Sequence, residues 1–309
     1  MPIPDYQTLM LPVLTIAAEG EARVPVISDR IADQFSLSED ERNEVLPNSK
    51  QLRLHNRIHW AKFYMSKAGL IDSPRRGTFV ASQAGRALLA QRPARLNVEA
   101  LKAYPEFVAF IDKPSVPGEP AAPATMPAAT ESSVTPEEQI DAAREILNSA
   151  LRTDLLARLL EQSPAFFERV IVDLLVAMGY GGSHDNAARV LGKSGDGGID
   201  GVIDEDRLGL DRIYLQAKRY SSHVSVGRPE VQGFVGSLVG HGATKGVFVT
   251  TSSFARPATE YARNLQQRVI LIDGDRLANL MIEFGVGVRI SRVVEVKRLD
   301  EDFFSEELG

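Results

Sequence analysis

The chain has no cysteine among its 309 residues. That single absence excludes disulfides, thiolate zinc sites and cysteine nucleophiles. No apolar run approaches the roughly 18–20 residues needed to span a bilayer. The opening residues, Met1-Pro2-Ile3-Pro4-Asp5-Tyr6, lack both a basic start and a long apolar stretch, so no secretory leader is expected. No G-x-x-x-x-G-K-[S/T] loop is present, so a nucleotide partner is not implied. These absences leave a cytoplasmic protein with no membrane partner as the expectation. A hydrophobic fraction of 44% and a charged fraction of 25% are those of a globular chain. The length accommodates two domains of ordinary size.

The net charge of −6 conceals a segregation. The first 49 residues hold nine acids and three bases, whereas Lys50 to Arg95 hold ten bases and one acid, Asp72. Local charge governs phosphate contacts, so a nucleic-acid partner stays open despite the acidic total. Tyr6, Leu9, Met10, Val13, Leu14 and Ala17 recur at helical spacing. A second helix is expected over Val26–Phe35. A third is expected from Lys50 to about Ala68, capped by Asn48 or Ser49 and ended by Gly69. Its apolar positions are Leu54, Ile58, Ala61 and Met65. Its opposite face carries Arg53, Asn56, Arg57 and Lys67, with His59 at the margin. Leu70-Ile71 and Thr78-Phe79-Val80 then flank Arg75-Arg76-Gly77, a basic hairpin tip. Three helices and a basic hairpin form the order of a winged helix, with the third helix entering a major groove. Lys50, Arg53, Asn56, Arg57, Arg75 and Arg76 are therefore the expected DNA contacts of this region. Trp60, Phe63 and Tyr64 are expected in the core. His55 and His59 lack an evident third ligand and are not read as a metal site.

Pro114, Pro117, Pro120, Pro123, Pro127 and Pro136 are interleaved with Ala, Ser, Thr and Gly, which marks a linker. Beyond it the pattern is α/β. Helices are expected near Glu137–Glu161, Ala165–Met178, Glu230–Val239, Arg256–Leu265 and Asp275–Glu283. Strands are expected at Ala188–Leu191, Gly198–Ile203, Ile213–Lys218, Gly246–Thr250 and Val269–Ile272. The predicted domains are 1–95, a connector over 96–136, and 137–309.

The chemistry concentrates between Gly195 and Lys218. Gly195-Asp196-Gly197-Gly198-Ile199-Asp200-Gly201 places a carboxylate after a glycine-rich turn, and Tyr214-Leu215-Gln216-Ala217-Lys218 follows on a second strand. Alternation along a strand points Gln216 and Lys218 the same way. If the two strands pair, a carboxylate and an amide oxygen meet beside an ammonium, a set able to hold Mg²⁺ (or Mn²⁺) and meet a phosphate. The glycines precede a strand, so they do not make the strand-to-helix turn of a dinucleotide fingerprint. Asp196 is read as a turn residue and His184-Asp185 as a loop. Thr250, Thr251, Ser252 and Ser253 close a buried strand and suit either a phosphate contact or the cap of the next helix. Arg219, Arg228 and Glu230 are candidates for DNA contacts near the site or for surface salt bridges.

The Asp200…Gln216-x-Lys218 pattern resembles a variant of the PD-(D/E)xK nuclease core. The wider series also includes Phe166-Phe167-Glu168, Gly179-Tyr180-Gly181-Gly182, Gly227-Arg228-Pro229-Glu230 and Gly246-Val247-Phe248-Val249-Thr250-Thr251-Ser252. In that order it resembles the Mrr restriction endonuclease family nearly from end to end. The resemblance implies an α/β (α+β) restriction-endonuclease-like domain with a mixed central sheet, preceded by a winged-helix domain. It implies catalysis by Asp200, Gln216 and Lys218, with Glu168 as a further metal contact beside Asp200 and Gln216. It also implies restriction of methylated foreign double-stranded DNA without ATP, by a homodimer or higher assembly. Gln216 departs from the carboxylate that most of the broader superfamily carries, which removes one negative charge from the site. Two other functions share these features. One is a structure-specific nuclease for junctions or repair intermediates. The other is a DNA-binding regulator with a catalytically inactive nuclease-like domain, against which the presence of both Asp200 and Lys218 argues.

Overall fold

A computed structural model describes residues 2–47, 49–111, 133–181, 198–206, 209–297 and 299. The strand expected at Ala188–Leu191, Asp196 with its neighbouring glycines, the His184-Asp185 pair and most of the proline-rich connector lie outside the described residues. The chain divides into two compact units, with the boundary at Arg144/Glu145.

The first unit opens with α1 (Tyr6–Glu19), whose start is set by Asp5: its carboxylate accepts from the amides of Gln7 and Thr8 at 2.9 and 3.1 Å. Then come α2 (Val24–Gln34), the short α3 (Glu39–Arg42) and α4 (Arg53–Lys67). A hairpin follows, β1 (Ile71–Asp72) against β2 (Val80–Ala81), with Ala22 bridged antiparallel to Phe79 beside it. Gly77 at the hairpin tip has φ +68°, a conformation a side chain would strain. The unit continues through α5 (Gln83–Ala90), α6 (Val98–Leu101) and α7 (Pro105–Ile111). Leu9, Met10, Val13 and Leu14 of α1 are fully buried in one cluster with Ile58, Ala61 and Met65 of α4. Each large apolar side chain buried this way contributes about 1.5–3 kcal/mol. Tyr64 is buried and stacks on Tyr6 at 5.4 Å, while Trp60 and Phe63 pack on the same core.

The third long helix begins later than its spacing suggests. Leu52 occupies its cap without a side-chain bond, and the Ser49 hydroxyl instead accepts from the Gln51 amide at 3.0 Å. Val45 bridges to Leu52 across this turn, which keeps residues 46, 47 and 49–51 out of the helix, while the expected cap Asn48 lies outside the described residues.

The polar face of α4 is closed from an unexpected direction. Helix α8 (Pro136–Glu161) starts with a reciprocal cap, in which the Thr135 amide donates to Glu138 Oε2 at 2.9 Å and the Glu138 amide donates to Thr135 Oγ1 at 3.4 Å. The other carboxylate oxygen of Glu138 accepts from Arg53 Nη1 at 2.6 Å and from Arg57 Nη2 at 2.7 Å. Trp60 Nε1 donates to Glu137 at 2.7 Å. Arg57 also donates to the carbonyls of Ile3 and Pro4. Burial works against the ionised form of Glu138, but hydrogen bonds from Arg57, the Thr135 amide and Arg53 hold its carboxyl below the usual glutamate range.

The second unit is built on a four-stranded mixed sheet of order β3-β4-β5-β6: β3 (Gly201–Asp204), β4 (Arg212–Lys218), β5 (Lys245–Thr250) and β6 (Arg268–Ile272). β3 pairs antiparallel with β4, whereas β4, β5 and β6 run parallel. One face buries Ile203, Ile213 and Leu215 against α9 (Pro164–Ala177), the end of α8 and α12 (Gly274–Glu283). The other buries Phe248 and Val269 against α10 (Arg228–Gly240) and α11 (Arg256–Arg263). Gly246 permits this second packing, since a Cβ there would lie 2.8 Å from both Phe234 and Leu238. The result is the mixed-sheet α/β architecture expected from the sequence. Among the described residues, no helix is long and apolar enough to cross a membrane.

The Glu138 cluster yields a stability prediction. Glu138→Ala removes the cap of α8 and leaves two guanidinium groups without their shared carboxylate. Loss of one partner from a buried ion pair costs about 3–5 kcal/mol. A denaturant melt followed at Trp60 should show a loss near the lower end of that range, because Arg57 keeps its carbonyl partners.

Candidate active site

Asp200 sits at the mouth of the β3–β4 pair. Its amide donates to the Leu215 carbonyl at 2.9 Å, continuing the ladder by one residue. Its carboxylate Oδ2 then accepts from the Ala217 amide at 2.7 Å. A side chain thus takes a place that a strand carbonyl would fill, and Asp200 straddles Gln216. Oδ1 makes no hydrogen bond among the described residues.

Glu168 comes from α9. Ser163 caps that helix, with its hydroxyl accepting from the Phe166 amide at 3.2 Å, and Pro164 occupies the first turn. Phe167, Val170 and Ile171 bury the helix against the sheet and leave Glu168 half-buried at a small cavity shared with Asp200, Gly201 and Ala217. Burial and then the nearby negative charge of Asp200 push the Glu168 carboxyl above the usual glutamate range, with Lys218 pulling the other way. The structure therefore brings Glu168, Asp200 and Lys218 into one electrostatic neighbourhood.

Gln216 is 6% exposed, and its Oε1 has no hydrogen-bond partner among the described residues. Its amide nitrogen lies beside the Gly198 turn, where a Cβ would approach to 3.2 Å. An orphaned buried amide oxygen costs about 1–3 kcal/mol. Gln216 adjoins Asp200 across the β3–β4 pair, whereas Glu168 meets Asp200 at the cavity on the Leu215 and Ala217 face. Asp200 thus lies between the two other oxygen donors, and all three are of the hard kind that a small divalent cation takes. No cluster of three or more His, Cys, Asp or Glu placed for a metal occurs among the described residues. Two carboxylates and an amide, completed by water and a phosphate, fit Mg²⁺, which ordinarily keeps several waters.

The expected DNA contacts divide into two groups. Lys50, Arg75 and Arg76 are exposed, Arg75 in a surface pair with Glu21 at 2.6 Å. Arg228 is also exposed, with its guanidinium 5.0 Å from the Tyr261 ring centroid. Arg53, Asn56 and Arg57 are differently placed from the open reading face expected of them. The two arginines are bound to Glu138, and Asn56 is 1% exposed with an unpartnered Oδ1. His59, Ser66 and Lys67 are the exposed residues of α4. Arg219 likewise turns inward and donates to the carbonyls of Leu160 and Gln162 at the end of α8. Glu230 accepts from the Gly227 amide at 3.1 Å and so caps α10.

The threonine-serine run does not cap the next helix. The cap of α11 is Ala255, with no side-chain bond. Thr250, Thr251 and Ser252 are all buried, with both threonine hydroxyls bonded to backbone carbonyls. The Ala217 amide as a partner of Asp200 had no signal in the sequence, because any residue but proline supplies it.

The "Restriction endonuclease" profile matches residues 159–281, and the "Mrr N-terminal domain" profile matches residues 6–91. The chain is 38% identical over 320 aligned positions to the type IV methyl-directed restriction enzyme EcoKMrr of Escherichia coli strain K12, covering 98% of this chain and 100% of that protein. Two solved structures are more loosely similar. The DNA modification-dependent restriction endonuclease AspBHI matches at 22% identity and TM-score 0.36, over 46% of this chain and 36% of that one. The MspJI restriction endonuclease in complex with a 27-mer oligonucleotide matches at 21% identity and TM-score 0.32, over 70% and 54%.

The raised Glu168 pKa sets a pH dependence. Glu168 must lose its proton to bind a cation, so Mn²⁺ affinity measured by calorimetry should fall as pH drops, beginning above the usual glutamate range. In the metal-free protein the sign reverses. A raised folded-state pKa contributes stability below the unfolded value, and that stability is lost as pH rises through the folded one. Glu168→Gln should flatten both profiles.

Proposed function

The chain belongs to the Mrr restriction endonuclease family, and on that footing we propose that it is a Mg²⁺-dependent DNA endonuclease that restricts methylated foreign DNA in the cytosol without ATP. The observation that supports the metal-dependent chemistry is the meeting of Glu168 and Asp200 at one cavity, with Lys218 near enough to act on Glu168 and the unpartnered Gln216 amide oxygen on the strand paired with Asp200. The name of the full-length relative supports a methyl-directed target.

Asp200 Oδ1, Gln216 Oε1 and the Glu168 carboxylate would hold the cation. When bound, it would supply positive charge to the scissile phosphate and acidify a water. Asp200 can face the cation with one oxygen because the Ala217 amide fixes the other. Lys218 brings an ammonium toward the non-bridging oxygens, where negative charge grows as the phosphorus becomes five-coordinate. Hydrolysis adds the water oxygen to phosphorus and breaks one P–O bond. One such site cuts one strand, so a double-strand break requires two copies acting together.

DNA would be held by exposed cations of the first unit, chiefly Lys50, Arg75 and Arg76, with Arg228 near the second unit's strand ends. Arg53 and Arg57 would then contribute through folding, not through phosphate contacts.

Two measurements test this reading. Plasmid cleavage in Mg²⁺ should cut methylated DNA, spare unmodified DNA, and disappear in Asp200→Ala and Lys218→Ala while binding persists. Equal cutting of unmodified or branched DNA would move the assignment to a structure-specific nuclease. No cutting with tight binding would favour the inactive regulator. In a salt titration of binding, Arg75→Ala with Arg76→Ala should lower the slope of log K against log salt by about 1 for each phosphate that the variant no longer neutralises.

A further inference from the structure

The run that closes β5 is committed to the strand carrying Lys218. In the parallel ladder Thr250 lies opposite Lys218, at the last paired position of both strands. Past this point β4 leaves the sheet, and its backbone carbonyls lose their ladder partners. Thr250 Oγ1 donates to the Lys218 carbonyl at 2.8 Å, and Thr251 Oγ1 donates to the Tyr220 carbonyl at 2.7 Å. Two consecutive hydroxyls thus tether the backbone on either side of Arg219.

The tether is itself held. A hydroxyl has one proton to donate and two lone pairs. The Thr250 proton goes to Lys218, so its contact with Ser252 Oγ at 3.1 Å requires Ser252 to donate. The Ser252 amide donates to the same oxygen at 3.2 Å. Thr250 is 0% exposed and Thr251 4%. The start of α12 closes over them. The Gly274 amide donates to the Ser252 carbonyl at 2.8 Å, and a Cβ at Gly274 would lie 2.4 Å from the Thr251 carbonyl oxygen. Between the two tethered carbonyls, Arg219 is pinned to the end of α8. Of this three-residue exit, Lys218 is the cation near enough to Glu168 for its charge to favour the ionised carboxylate.

We propose that Thr250 and Thr251 are positioning residues that hold the backbone of Lys218 so that its ammonium meets the scissile phosphate. The inference rests on the nuclease reading above and adds to it the part that aims the cation. Valine matches threonine in shape and strand preference but lacks the donor, so the requirement is for the hydroxyl and not for the branch.

The experiment uses the full-length chain and compares Thr250→Val, Thr250→Ser and Thr251→Val. Single-turnover cleavage at saturating Mg²⁺ should slow on the order of 10²-fold in Thr250→Val, the effect of a displacement near 1 Å. DNA affinity should stay near wild type, the melting temperature should fall because buried partners of the hydroxyl are orphaned while the protein stays folded at the assay temperature, and Thr250→Ser should restore the rate. Thr251→Val serves as the second variant if Thr250→Val does not fold, and should slow cleavage in the same way. Wild-type rates in both valine variants would overturn the proposal, as would a serine variant as slow as the valine one. A wild-type protein that cuts no DNA would sink the nuclease reading instead. For that case, NMR of isotope-labelled lysine side chains reads the positioning directly. The Lys218 resonance should shift in Thr250→Val and return in Thr250→Ser, and an unmoved resonance would refute the inference.

Discussion

The hydrogen bond from the Ala217 amide to Asp200 ties the sheet to the site. An antiparallel pair normally closes its ladder with carbonyl oxygens. Here the last acceptor is a carboxylate, so the charge of Asp200 is fixed to the backbone of β4 between Gln216 and Lys218. The rest of the second unit keeps that bond in place. β4 is clamped between an antiparallel neighbour and a parallel one. Helix α9, buried through Phe167 and Ile171, delivers Glu168 to the same mouth.

The electrostatics of the site depend on what stands at position 216. A third carboxylate beside Glu168 and Asp200 would add repulsion to a pair already strained enough to raise the Glu168 pKa. A glutamine contributes an oxygen donor without a charge, and here it is buried at 6% exposure with its Oε1 unpartnered among the described residues. In the proposed site, that exchange would lower the pull on a cation and leave more of the neutralising work to Lys218. Fixing the Lys218 backbone through buried hydroxyls matters more in such a site than in one rich in carboxylates.

The first unit shows why a count of basic residues differs from a basic surface. Ten cations between Lys50 and Arg95 suggest a strong phosphate field. Arg53 and Arg57 are held by Glu138, a residue more than eighty positions away in the chain, and Arg53 also by Glu44, so two carboxylates offset the two arginines, and Arg75 shares its charge with Glu21. Buried guanidinium groups contribute to cohesion of the unit and little to long-range steering, because a neutralised pair has almost no external field. The cations of the hairpin tip and Lys50 remain at the surface.

Local pattern determined which residues form which elements. The 3.6-residue recurrence of Leu9, Met10, Val13 and Leu14 and the alternation of Ile213, Leu215 and Ala217 are properties of neighbouring positions, and they put the helices, the mixed sheet and the Asp200, Gln216 and Lys218 set within reach of inspection. Helix starts were less legible, since the bridge of Val45 to Leu52 overrides the cap available at Ser49. The fate of polar side chains was not legible at all. Arg57 and Arg219 look alike in sequence to cations that meet DNA, and Thr250 looks like a helix cap. Each is instead assigned by a partner distant in sequence: Glu138, the end of α8, and the exit of β4. A periodic apolar face identifies itself, because burial needs only the right side. A donor or a charge takes its role from the specific group that folding brings within about 3 Å, and that choice belongs to the tertiary structure.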